Sequence, residues 1–129
     1  MSKKIKILIV DDNEELLEMY RSKFQREDES FEVFIETDGL KAINRANEVK
    51  PDVILLDIMM PNLDGIETLN VIKNYSDFSP IVILFSNLTE DQYLKKSMGL
   101  EADYFFPKSE YSPGEITKQV KEIVRERSI

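Results

Sequence analysis

The chain contains no cysteine and no histidine. The first absence rules out disulfides and thiol catalysis, and it fits a reducing compartment. The second rules out imidazole as a general base, as a metal ligand and as a phosphoryl donor. Long apolar runs are missing as well: none approaches the roughly 20 residues that a membrane span needs. Met1-Ser2-Lys3-Lys4 leads straight into a strand-like run instead of a signal-peptide core. Positive charge is in deficit, with 17 Lys and Arg against 25 Asp and Glu and a net charge of −8. Nucleic-acid affinity rests on cations that neutralise phosphates, so this balance argues against direct nucleic-acid binding, and any output on DNA would need a partner. The expectation is a cytoplasmic chain with no membrane association.

What is present suits one globular domain over residues 1–129, with 42% hydrophobic and 33% charged residues. Its organising stretch is Val53-Ile54-Leu55-Leu56-Asp57, which breaks at once into a turn through Pro61 and Asp64-Gly65. A short, unbroken apolar run bounded by turn signals reads as a strand buried on both faces, the habit of parallel sheets covered by helices. In such sheets the ligand crevice lies beyond the carboxyl ends of the strands. Asp57, read as the last residue of its strand, either faces that crevice or caps the following turn. A second run, Ile5 to Val10, also ends on acid, Asp11-Asp12. Three carboxylates converging on one sheet edge repel each other unless a cation intervenes. Oxygen donors without His or Cys, and with room for water and phosphate, favour Mg²⁺.

The rest of the chain alternates strand and helix signals. Asn13 caps a helix carrying Glu14 and Glu15 in its first turn and Leu16, Leu17, Tyr20 and Phe24 along one stripe, with residues 26–30 as a loop. A strand over residues 31–35 precedes a helix capped by Asp38, with Leu40, Ile43 and Ala46 inward and Lys50-Pro51 as its stop. Ile66, Leu69 and Ile72 mark the next helix. The apolar run 81–85 then ends on Ser86, and Thr89 and Gln92 form a capping box for a helix finishing near Gly99. A last short strand, residues 103–107, is followed by Lys108 and by a helix opening on Ser112-Pro113-Gly114-Glu115. Five strands alternating with five helices predict an α/β, doubly wound, five-stranded parallel sheet of flavodoxin-like order 2-1-3-4-5.

Asp11-Asp12, Asp57 with Met60-Pro61 and Asp64-Gly65, Ser86 and Lys108, each at the end of its strand and in this order, resemble the receiver domain of two-component response regulators. The resemblance covers essentially the whole chain. It implies a phosphorylation-dependent switch in a phosphorelay, in which Asp57 accepts a phosphoryl group from a sensor histidine kinase, a histidine phosphotransfer protein or a small acyl phosphate. Asp12 would bind Mg²⁺ directly, Asp11 through water, and Met59 through its backbone carbonyl. Lys108 and Ser86 would each engage a phosphoryl oxygen, and the family's switch aromatic falls on Phe105. It further implies a chain that catalyses only its own phosphorylation and dephosphorylation, that is a monomer or a weak phosphorylation-dependent dimer, and that signals to an unknown downstream protein. Met59 and Leu88, at the two positions flanking the phosphoryl group in this family, are both apolar here.

Each piece also has a plainer reading, with Lys108 as a surface lysine, Ser86 as a cap and Phe105 as packing. The chain departs from the family in two places: Lys108 is followed by Ser109 instead of proline, and Phe105 replaces the commoner tyrosine. A flavodoxin-like cofactor domain is disfavoured because Asp11-Asp12-Asn13-Glu14-Glu15 would repel a flavin phosphate. A metal-dependent phosphatase is disfavoured because Met59, not a second acid, follows Asp57 by two. The tail from Arg125 leaves no room for an output domain, so the choice lies between a stand-alone switch and a receiver excised from a larger transcription factor or hybrid kinase.

Overall fold

A strand buried on both faces needs helices above and below it, and in this protein they follow from the alternating order of the chain. The structure, a computed structural model, describes residues 4–27, 30–97 and 102–127. Strands β1 (Ile5–Val10), β2 (Phe31–Glu36), β3 (Val53–Leu56), β4 (Ile81–Ser86) and β5 (Tyr104–Pro107) alternate with helices α1 (Glu14–Glu27), α2 (Gly39–Val49), α3 (Gly65–Tyr75), α4 (Glu90–Ser97) and α5 (Pro113–Glu126). The strands form one parallel sheet in the order β2-β1-β3-β4-β5. This is the order predicted from the sequence. Among the described residues no helix is long and apolar enough to cross a membrane.

Because side chains alternate across a strand, each central strand feeds two cores. Ile7, Ile9, Val53, Leu55, Ile83 and Phe85 pack with Leu17, Tyr20 and Phe24 of α1 and with Ile116, Val120, Ile123 and Val124 of α5. Leu8, Val10, Ile54, Leu56, Val82 and Leu84 pack on the other face with Ala42, Ile43 and Ala46 of α2, Leu69 and Ile72 of α3, and Tyr93 of α4.

The helices start where the sequence signals them. Asn13 Oδ1 accepts the Leu16 N–H at 3.1 Å, and Asp38 accepts that of Lys41 at 2.9 Å. Reciprocal capping boxes join Thr89 with Gln92 and Ser112 with Glu115, and a further one joins Asp64 with Glu67.

Several local readings change. Helix α1 runs through Arg26, past the start of the expected loop, and β2 runs on to Glu36. Leu40, expected on the inner face of α2, is 62% exposed, because it sits in the first turn, pointing away from the sheet. Lys50 before Pro51 does stop α2, and it does so in a left-handed conformation, φ 50° and ψ 68°, with its N–H closing on the Ala46 carbonyl. Asp57 and Asp103 lie just outside their strands. The peptide bond after Lys108 is trans. The predicted stop of α4 at Gly99 lies outside the described residues.

Candidate functional site: an acidic pocket at the carboxyl edge of the sheet

Three side chains continue the strand ladders by one rung. The Asp11 N–H donates to the Glu36 carbonyl at 3.2 Å, that of Asp57 to Val10 at 2.9 Å, and that of Lys108 to Ser86 at 2.7 Å. Each therefore leaves the sheet edge with its direction set by the strand before it. Asp11 continues the parity of Ile7 and Ile9, Asp57 that of Val53 and Leu55, and Lys108 that of Tyr104 and Phe106, so all three lean to the α1 and α5 face.

The result is a compact charged group. Carboxylate oxygens of Asp11, Asp12 and Asp57 lie within 4.8 Å of one another, with Asp11 and Asp57 buried and Asp12 exposed. The Lys108 ammonium donates to Asp11 Oδ2 at 2.8 Å and to Asp57 Oδ2 at 3.4 Å, and it lies 5.7 Å from the centre of the Phe85 ring. The Asn13 N–H donates to Asp11 Oδ1 at 2.9 Å, and the Met59 N–H to Asp57 Oδ1 at 3.3 Å. The floor of the turn is tight at Gly65, where a Cβ would collide with the Asp57 carbonyl oxygen and the Ile58 Cα. Only glycine lets α3 start this close to the pocket.

Burial pushes the Asp57 carboxyl up to about 6, and the Asp11 charge adds to the rise. The Lys108 charge and the Met59 N–H pull it partly back. Burial alone would lower Lys108. The hydrogen bond to Asp11, together with the charges of Asp57 and Asp11, outweighs that effect and holds the ammonium above the usual lysine range. An all-oxygen donor set with two buried carboxylates and one open to solvent fits a hard divalent cation that keeps some of its water.

Not every candidate joins this group. Ser86 is fully buried, and its hydroxyl accepts the Leu88 N–H at 3.3 Å. Met59 exposes 53% of its surface beside a cavity of about 340 Å³ that Asp12, Asp64 and Lys96 also line. Size does not single this cavity out. A hollow of about 320 Å³ at the opposite end of the sheet, lined by Phe78, Pro80 and Asp103 among others, has no carboxylate cluster. Phe105 is half-buried and stacks on Tyr93 of α4, with centroids 4.7 Å apart and planes 4° from parallel. The Tyr93 hydroxyl in turn accepts the Ala102 N–H at 3.0 Å. Neither this stack nor the grip of Lys108 on Asp11 was foreseen. The shared parity of Asp11 and Lys108 was the available signal for the second.

Residues 7–121 match the family described as the response regulator receiver domain. The chain belongs to that family. As a receiver it is 36% identical over 126 residues to the alkaline phosphatase synthesis transcriptional regulatory protein PhoP of Bacillus subtilis (strain 168), a match that covers 96% of this chain and 50% of that protein. The chain thus spans about half the length of that relative. Among solved structures it is similar to the receiver domain of the Francisella response regulator 1452, at 26% identity and a TM-score of 0.82, covering 98% of this chain and 100% of the other. It is also similar to the response regulator domain of Thermotoga maritima CheB, at 30% identity and a TM-score of 0.78, covering 96% of each chain. Receiver domains act in phosphorylation-dependent two-component signalling, and this one carries the acidic pocket at the expected sheet edge.

Proposed function

We propose that Asp57 is the phosphoacceptor of this receiver and that the acidic pocket holds Mg²⁺ during transfer. The observation that carries the reading is the buried Asp57 carboxylate, set between a lysine ammonium at 3.4 Å and two further carboxylates. Phosphoryl transfer needs little covalent help from a protein. It needs positioning and a place for negative charge. An Asp57 oxygen attacks the phosphorus of a phosphohistidine on a kinase or phosphotransfer partner, or of a small acyl phosphate. The O–P bond forms as the bond to the donor breaks, and the donor keeps the electron pair. Asp12, Asp11 through water, Asp57 and the Met59 carbonyl would hold the metal, which when bound neutralises phosphoryl charge. Lys108 offers a point charge to one phosphoryl oxygen, and the Ser86 hydroxyl offers a hydrogen bond to another.

On this reading the chain is not an enzyme toward other substrates and promotes only its own phosphorylation and dephosphorylation. It works in the cytoplasm, receives its phosphoryl group from a sensor histidine kinase or histidine phosphotransfer protein, and passes the signal to a protein partner by a change of surface. The test is intact mass after incubation with acetyl phosphate. Wild type should gain one phosphoryl group only with Mg²⁺, and Asp57→Asn should gain none. Labelling that persists in Asp57→Asn puts the acceptor elsewhere.

A second reading, a receiver forming part of a longer transcription factor or hybrid kinase, is favoured by the coverage of only 50% of the Bacillus relative. Sequencing the coding region on both sides decides between the two, and stop and start signals at these ends would sink it.

A further inference from the structure

The acidic pocket has a second lysine, on its outer side. A cavity of about 340 Å³ opens to solvent beside Asp12, walled by Ile58, Met59 and Pro61 of the loop after β3, by Asp64 at the start of α3 and by Lys96 in the last turn of α4. Among the described residues that line it, Lys96 is the one cation. The Met59 N–H donates to Asp57 Oδ1, so the loop that walls the cavity also holds the Asp57 carboxylate. Lys108 grips the carboxylates from the opposite side, at the end of β5.

Lys96 is placed there by its helix. It follows Tyr93 by three residues and so shares the face of α4 on which Tyr93 is buried against Phe105. Its ammonium stands 3.1 Å from Asp64 Oδ2, with the two side chains 42% and 20% exposed. The surface pair of Lys50 with Asp77, at 55% and 76%, is far more open. Asp64 does not need this partner to start α3, because its Oδ1 already accepts the Glu67 N–H at 2.9 Å and its own N–H donates to Glu67 Oε1 at 3.1 Å. A half-exposed ion pair stabilises little, so the lysine at this cavity calls for another account.

Charge supplies one. Without Lys96, Asp12 and Asp64 would make the entrance purely anionic, in a chain of net charge −8. An entrance of one sign repels a ligand of that sign, and low-dielectric walls focus the effect. The small phosphodonors that reach Asp57 are anions. A cavity of about 340 Å³ is roughly 9 Å across, so its wall charges act on its contents within about one Debye length at physiological salt. We propose that Lys96 is the entry cation of this site: paired with Asp64, it selects small dianionic phosphodonors by charge and weakens the hold of Asp12 on Mg²⁺. This rests on the phosphoacceptor reading of Asp57.

The experiment measures the second-order rate constant for phosphorylation of the whole chain at saturating Mg²⁺, in wild type and in Lys96→Gln. Two donors are used, acetyl phosphate, a dianion, and phosphoramidate, which carries one negative charge less. The variant should lose about threefold with acetyl phosphate, the scale of one unit charge across such a distance near a protein surface, and clearly less with phosphoramidate. Lys96→Arg should restore the rate, and high salt should erase the difference. Lys95→Gln, an equal change of net charge at the neighbouring exposed position, should leave the rate as in wild type. In a separate Mg²⁺ titration followed by amide shifts, Lys96→Gln should bind the metal about threefold more tightly, which a merely loosened helix would not do. Equal rates in Lys96→Gln and wild type, an equal loss toward both donors, an equal loss in Lys95→Gln, or Mg²⁺ binding that is no tighter overturns the inference. Lys96→Met, which keeps the aliphatic stem, takes the place of Lys96→Gln if that variant loses its fold. A wild type that takes no phosphoryl group from either donor overturns the phosphoacceptor reading and this inference with it, whereas a wild type that is labelled at Asp57 but matched by Lys96→Gln overturns the inference alone.

Discussion

Lys108 Nζ stands 2.8 Å from Asp11 Oδ2, closer than to Asp57 Oδ2 at 3.4 Å, so the resting lysine is held mainly by the carboxylate that does not receive the phosphoryl group. The residues are 97 positions apart in the chain, and both are largely buried. The pair clamps the end of β5 to the end of β1 across the pocket.

Removing that clamp leaves two buried carboxylates facing each other. Lys108→Met should destabilise the metal-free protein by about 3 kcal/mol at pH 7, the scale of breaking a buried ion pair from one side. The loss should shrink near pH 5, where Asp57 takes up a proton and one of the charges disappears. Urea denaturation at the two pH values measures both, and an equal loss at each would mean that carboxylate repulsion is not the cause.

Asp57 itself makes stability depend on pH. Its native value of about 6 lies above the unfolded 3.8, chiefly through burial. The native state therefore holds this proton more tightly. The stability it contributes is present below 3.8 and is lost as pH rises through 6. Asp57→Asn should thus be more stable than wild type at pH 7 by about 1–3 kcal/mol in the absence of metal, with the difference vanishing near pH 4. Denaturation of the two proteins across this range tests the sign, and an advantage that persists at pH 4 counts against burial as its origin.

A cation that binds only the native pocket should offset the same repulsion. Millimolar Mg²⁺ should raise the melting temperature of wild type by mass action, and Asp12→Asn should remove that response. Calorimetry with and without Mg²⁺ near neutral pH provides the check. An Asp12→Asn protein that responds as wild type does would show that Asp12 is not a ligand.

The stack of Phe105 on Tyr93 ties β5 to α4 at the edge of the sheet. If Ser86 moves toward the phosphoryl group and Phe105 turns inward to fill the space, α4 must release or follow its stacking partner. Amide shifts on adding beryllofluoride should therefore spread from Asp57 through Ser86 and Phe105 into α4, as in a population shift worth about 1–3 kcal/mol. Shifts confined to the acidic pocket would show that the aromatic pair is packing alone.

Met59 is half-exposed beside Asp57, and Leu88 is half-buried two residues beyond Ser86. Neither can orient a water in line with the aspartyl phosphate, and a positioned reactant is worth about 10- to 100-fold in rate. The phosphoprotein should be long-lived, and a Met59→Asn, Leu88→Glu double variant should lose phosphate that much faster. Identical decay curves would mean that apolar shielding does not set the lifetime.

The fold was legible because its signals are local or periodic. Ile7 to Val10, Val53 to Leu56 and Ile81 to Phe85 are apolar without a break because both faces of a central parallel strand are covered. Asn13, Asp38, Thr89 and Ser112 announce helices through side chains that bond within three residues. The same logic located Asp11, Asp12, Asp57 and Lys108 at strand ends, since parallel topology carries every such end to one edge. What the sequence could not show depends on contacts between distant segments. Lys108 pairs with Asp11 and Phe105 stacks on Tyr93 only because β1, β5 and α4 pack in one particular geometry. Leu40 was misread for the same reason. The inner edge of α2 depends on where the sheet lies beneath it, and no four-residue window contains that information.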